Sequence, residues 1–133
     1  MTKVHHVGIA VPNLYEALAF YTKVMGFRVA YRFPSPDGRP STTFVQINRD
    51  TFLEVAPAAA GVAPGLTHIG LYTDSADASV AQLRRAGATV ADARPSANSG
   101  SRLANITDPF GIRIEFNEQP PESLMRKAMD AWK

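Results

Sequence analysis

His6-Val7-Gly8-Ile9 and His68-Ile69-Gly70-Leu71 are one short pattern written twice, 62 residues apart. A helical pattern follows each copy, Asn13 to Met25 and then Asp74 to Ala86. Each stops at a glycine that opens a new strand, Gly26-Phe27-Arg28-Val29 and Gly87-Ala88-Thr89-Val90. Glycine just past a helix is the expected C-cap, because it enters the left-handed region without strain. Both halves close on an apolar strand carrying one glutamate, Phe52-Leu53-Glu54-Val55 and Arg113-Ile114-Glu115-Phe116. The glutamates are 61 residues apart, within one residue of the histidine offset.

Working outward, each half reads as strand, helix and three further strands. The first half predicts strands near 4–11, 27–33, 42–48 and 51–56, the second near 67–73, 89–94, 101–107 and 112–117. Turn chemistry separates them, at Pro34 to Pro40, Asn48 to Asp50, Ser96 to Ser101 and Asp108-Pro109-Phe110-Gly111. Two copies of about 60 residues are too few and too long for a solenoid. The expectation is an α+β fold, two tandem βαβββ modules forming half-barrel sheets within a single domain over 1–133. Module one covers about 3–57, an Ala-, Pro- and Gly-rich linker about 58–65, and module two about 66–118. Leu124, Ala128 and Trp132 recur at helical spacing, which predicts a C-terminal helix over about 121–132 that packs on the domain or a partner subunit, with a lid over a substrate site as the alternative.

Bulk properties narrow the function classes. At 133 residues the chain can bury a full core without covalent staples, and with no cysteine it has no disulfide, thiolate metal site or cysteine nucleophile. Its net charge is +2, and its 14 Lys and Arg are scattered rather than interleaved with aromatics, which predicts no nucleic-acid surface. No signal peptide pattern opens the chain, and no apolar run approaches the roughly 20 residues that span a bilayer. The expectation is a cytoplasmic protein with no membrane partner.

Side chains alternate along a strand, so parity assigns faces. Val7, Ile9 and Val11 share one side of the first strand, toward the helix, and His6, Gly8 and Ala10 the other. His68 shares its side with Gly70 and Tyr72, while Glu54 and Glu115 each point away from apolar neighbours. A glutamate in an apolar strand is costly when buried without a partner. Convergence of two imidazoles and two carboxylates on one divalent cation removes that cost. The donor set suits Ni, Zn, Co, Mn or Fe better than Ca or Mg. By parity His5 points to the opposite face, which predicts a partly exposed polar residue. Tyr72, Gln46, Arg102 and Asn105 are weaker candidates for contacting a substrate.

With these residues in place, the chain resembles the vicinal oxygen chelate superfamily over about residues 3–118. The resemblance rests on His6-Val7-Gly8-Ile9, the stretch Ala17 to Phe27 with its Phe20-Tyr21 and Gly26-Phe27 pairs, Glu54, His68-Ile69-Gly70-Leu71, and Asp108-Pro109-Phe110-Gly111 before Glu115. The His, Glu, His, Glu order resembles the ligand set of small bacterial glyoxalase I. It implies a metal-dependent lyase or isomerase acting through an enediolate on a small substrate with adjacent oxygens. Glu115 is the implied proton-transfer base and Glu54 its symmetric alternative. The resemblance also implies a homodimer, with the site built within one chain or across two. Extradiol dioxygenases resemble the chain less, since they lack the first-module carboxylate. A non-catalytic binding or drug-resistance module of the same fold has no need of four ligands. One departure bears on substrate: the arginine of the glyoxalase I pattern, four residues past the first histidine, is Ala10 here.

Overall fold

The computed structural model describes residues 3–133. Among these residues one mixed sheet of eight strands carries both modules. Its strands are β1 (Lys3–Val11), β2 (Arg28–Arg32), β3 (Thr43–Asn48), β4 (Thr51–Pro57), β5 (Gly65–Tyr72), β6 (Arg94–Pro95), β7 (Arg102–Thr107) and β8 (Arg113–Glu118). The order β2-β3-β4-β1-β5-β8-β7-β6 sets two copies of one pattern back to back. Within each copy the first strand pairs parallel with the last, β1 with β4 and β5 with β8. The two first strands meet antiparallel in the middle.

Helix α1 (Leu14–Ala19) starts where the Asn13 side chain accepts from Glu16 N, the capping bond its position predicts. Its continuation differs from the expected regular helix to Met25, because Phe20–Val24 winds as a π-helical turn. There the Thr22 hydroxyl donates to Leu18 O, and Met25 N reaches back five residues to Phe20 O. The turn ends at Gly26, whose φ of 74° is left-handed. Helix α2 (Ala76–Arg85) is capped by the Ser75 hydroxyl, with Asp77 in its first turn and Arg84 and Arg85 in its last. Ser123 caps α3 (Leu124–Asp130) in the same way. Among the described residues no helix is long and apolar enough to cross a membrane.

The strand expected over 89–94 is reduced to the two residues of β6. Val90 O is instead taken by the Arg84 guanidinium, at 2.7 and 3.2 Å, and Val90 and Ala93 are buried under α2. Proline at 95 has no N–H to extend a ladder.

Two apolar layers lie on one side of the sheet. Leu14 and Leu18 of α1 pack on Val45 and Val55, while Ala76 and Val80 of α2 pack on Ala104 and Phe116. The opposite face of the first module is covered by α3, whose Met125 and Met129 bury against Phe44 and Phe52. Gln46 Nε2 donating to Ala128 O, and the Arg28 guanidinium 4.3 Å from the Trp132 ring centroid, tie this helix down. The C-terminal helix therefore packs on its own chain. It also places Met125 in the wall of the cavity described next.

Candidate metal centre

The site forms at the seam between modules because of the antiparallel β1–β5 register. His6 lies opposite Gly70, and His68 lies opposite Gly8. A Cβ built on Gly70 would stand 2.2 Å from His6 Cε1, and one on Gly8 would stand 2.2 Å from His68 Cε1. Each imidazole thus lies over the bare glycine of the other module, and the repeated His-x-Gly spacing is what lets the rings cross. The parallel neighbours bring the carboxylates, Glu54 beside Gly8 and Glu115 beside Gly70.

The result is a tight cluster from four strands of one chain. His6 Nε2 and His68 Nε2 are 2.8 Å apart. Glu54 Oε2 lies 3.4 Å from His6 Nε2 and 3.2 Å from His68 Nε2. Glu115 Oε1 is 3.6 Å from His6 Nε2, and the donor atoms of His6, His68 and Glu115 all lie within 4.8 Å of one another. Both imidazoles are buried, and the glutamates are more open. Ligand atoms about 2.1 Å from a shared ion stand about 3.0 Å apart at right angles and about 3.4 Å apart in a tetrahedron. His6, His68 and Glu115 thus form a possible site for one metal ion, and Glu54 Oε2 stands beside both of its imidazoles.

The surroundings orient each donor. Asn117 Nδ2 donates to Glu115 Oε1 at 3.1 Å. Burial alone would push the Glu54 carboxyl up, but hydrogen bonds from His6 and His68 override it and hold the pKa down to about 2. His68 Nδ1 has partners for either tautomer: Arg113 Nη2 donates at 2.9 Å, and Thr67 Oγ1 lies at 3.0 Å. A small cavity of about 100 Å³ opens onto His6, Glu54 and Glu115. Its walls are apolar at Phe33, Phe44, Leu103 and Met125, and hydroxylated at Ser96, Ser99 and Ser101; among the described residues no Lys or Arg lines it. Tyr31 also lines it, stacked on Phe44 at 4.6 Å, with a buried hydroxyl that has no partner among the described residues. Burial, then the charges of Glu54 and Glu115, push that phenol's pKa up, so it stays a donor.

The structure brings His6, Glu54, His68 and Glu115 together. The four weaker candidates lie outside the cavity wall. Gln46 is buried in bonds to Arg28, Arg49 O and Ala128 O. Arg102 forks onto Asp77 at 2.9 and 2.8 Å, and Asn105 is exposed. Tyr72 stands beside His5 and under the Lys3 ammonium. Simple parity shares faces along a strand but does not see which edge of the sheet curls over the site.

His5 is a correction. It is fully buried, not partly exposed, and its Nδ1 lies 3.2 Å from His6 Nδ1. The β1–β5 register shifts between Val4 and His6, so His5 is the extra residue of a bulge and turns onto the face of its neighbour. Burial, then the charges of His6 and Lys3, hold its pKa down to about 3. Tyr31, Asn117 and Met125 were also not singled out by sequence. The only signals were the strand parity of Asn117 with Glu115 and the amphipathic C-terminal helix that carries Met125.

The family model described as Glyoxalase/Bleomycin resistance protein/Dioxygenase superfamily matches residues 3–116. The chain belongs to that superfamily. It is 30% identical over 121 residues to the lactoylglutathione lyase of Neisseria meningitidis serogroup A, spanning 84% of this chain and 86% of the relative. It is 32% identical over 94 residues to human mitochondrial methylmalonyl-CoA epimerase, spanning 62% of this chain and 53% of that protein. A solved methylmalonyl-CoA epimerase in complex with methylmalonyl-CoA and NH4+ superimposes with a TM-score of 0.78 at 23% identity, over 92% of this chain and 98% of that one. The last likeness shows the fold. The relatives of this superfamily member are lyases and epimerases.

Proposed function

We propose that the protein is a metal-dependent lyase or isomerase of the glyoxalase I type, with His6, Glu54, His68 and Glu115 holding one divalent cation. The observation that carries this reading is the meeting of two buried imidazoles and two carboxylates, each glutamate with an oxygen within 3.6 Å of an imidazole nitrogen. A bound divalent ion would supply Lewis acidity toward a substrate with adjacent oxygens, easing loss of the neighbouring C–H proton to an enediolate. Glu115 is then the base: it is steadied by Asn117 and faces the cavity. Glu54 is the symmetric alternative. The Tyr31 hydroxyl donates to a substrate oxygen, and the apolar wall excludes water.

The cavity bears on substrate. It is small and, among the described residues, no Lys or Arg lines it to hold a carboxylate, and Ala10 stands where the glyoxalase I pattern has arginine. This favours a compact substrate headgroup over the glutathione hemithioacetal, and an isomerase in the manner of the epimerase relatives is the second reading. We also infer a cytoplasmic homodimer; exposed Tyr15, Phe20 and Val24 leave an apolar surface around α1 for pairing. Metal analysis of purified protein, with His6→Ala and Glu115→Gln beside it, tests the centre. One ion per chain, lost in the variants, is the expected result. Lactoylglutathione formation from methylglyoxal and glutathione separates a glutathione-using lyase from the alternatives, and oxygen uptake with a catechol would move the reading to a dioxygenase.

A further inference from the structure

The residue before each candidate ligand histidine is a bulge residue. The β1–β5 register skips His5 between Val4 and His6, and it skips Thr67 between the Gly8–His68 and Ile9–Leu66 pairs. Both extra residues turn toward the ring that follows them: Thr67 Oγ1 lies 3.0 Å from His68 Nδ1, and His5 Nδ1 lies 3.2 Å from His6 Nδ1. The two bulges are 62 residues apart, the offset of the ligand histidines themselves. An imidazole that ligates through Nε2 carries its proton on Nδ1, and that proton needs an acceptor. Thr67 offers one in the second module.

We propose that His5 is a positioning residue for the metal centre, accepting the His6 Nδ1 proton at its own Nδ1 so that the His6 Nε2 lone pair faces the ion. This rests on the metal reading above. Only one tautomer of the His5–His6 pair serves. If His5 donated instead, the His6 proton would sit on Nε2, directed at His68 and the two glutamates, and ligation would be blocked. In the productive tautomer the His5 proton sits on Nε2, a buried atom with no partner among the described residues. Phe52 and Tyr72, with ring centroids 5.7 and 6.0 Å from that of His5, confine its ring. The modules are thus unlike in one respect. Thr67 Oγ1 can accept from His68 Nδ1, but Arg113 Nη2, which can only donate, reaches the same nitrogen; His6 Nδ1 has His5.

Long-range ¹H–¹⁵N spectra of the zinc-loaded wild-type protein read the tautomers directly and need no variant. The expected result is His6 protonated at Nδ1, His5 protonated at Nε2, and a scalar coupling across the Nδ1–H···Nδ1 bond. Zinc competition with a chelator supplies the second measurement. His5→Leu should weaken zinc binding by roughly 10- to 100-fold, while His5→Asn, whose amide oxygen can stand in for Nδ1, should stay within a few fold of wild type. His5 protonated at Nδ1, or equal affinities for His5→Leu and wild type, would overturn this inference and leave the metal centre standing. A wild-type protein that takes up no zinc would overturn both.

Discussion

Replacing Gly70 by alanine should dismantle the metal centre without touching a ligand. The new Cβ would start 2.2 Å from His6 Cε1 and 2.3 Å from His6 Nδ1. Ordinary contact begins at 3.4 Å, so the His6 ring has to retreat by about 1.2 Å or the β1–β5 seam has to open. Metal–ligand bonds hold to within about 0.2 Å, so a shift of that size removes His6 from any ion it shares with His68. Loss of one imidazole should weaken metal binding by roughly 100-fold or more, about 2.8 kcal/mol. Overpacking should also lower stability by about 1–3 kcal/mol. Alanine's narrower unfolded ensemble offsets less than 1 kcal/mol of this. The assay is cobalt or zinc competition against a chromophoric chelator, with urea melts as the folding control. Gly8→Ala should do the same through His68, because its Cβ would meet His68 Nδ1 at 2.2 Å. If a folded Gly70→Ala protein bound metal as tightly as wild type, the crossed packing of ring over glycine would not be what sets the ligand positions.

Three further outcomes are expected. Tyr31→Phe removes a buried hydroxyl with no partner among the described residues, so metal content and melting temperature should hold while turnover falls by roughly 10-fold or more; loss of metal together with turnover would place the tyrosine in the structure instead. His5 has a folded pKa of about 3 against an ordinary 6.5, so the unfolded chain takes up a proton that the folded one refuses. Its support is complete above pH 6.5 and declines toward pH 3, at about 1.4 kcal/mol per pH unit in the middle of that window. Urea melts between pH 4 and pH 7 should show a flatter profile in His5→Leu, and parallel profiles would refute the assignment. Arg102→Ala, removing a partner of Asp77 away from the cavity, should leave metal uptake and turnover unchanged; a defect in either would bring Arg102 back as a substrate contact.

Much of this protein was legible from the repeat alone. A pattern that recurs with its glycines, helix and closing glutamate determined two like modules, and it picked out His6, Glu54, His68 and Glu115 as residues under the same local demand. Periodicity carries that information because strand and helix faces are local properties of backbone geometry. Local rules failed where the backbone departs from its ideal period. A bulge between Val4 and His6 moved His5 onto the site's face against its parity, and Thr22 sits in a π-helical turn within an otherwise regular pattern. The 89–94 segment lost its ladder to a side chain, because Arg84 holds Val90 O.

Only the tertiary structure decided how the modules meet. The antiparallel β1–β5 register set each imidazole over the other module's glycine and put all four donors in one chain. Packing of Met125 and Met129 on Phe44 and Phe52 folded α3 back, so that Met125 and Tyr31 share a cavity with Glu54 and Glu115. Those are contacts between residues far apart in the chain. They follow from packing and strand register, which no window of sequence contains.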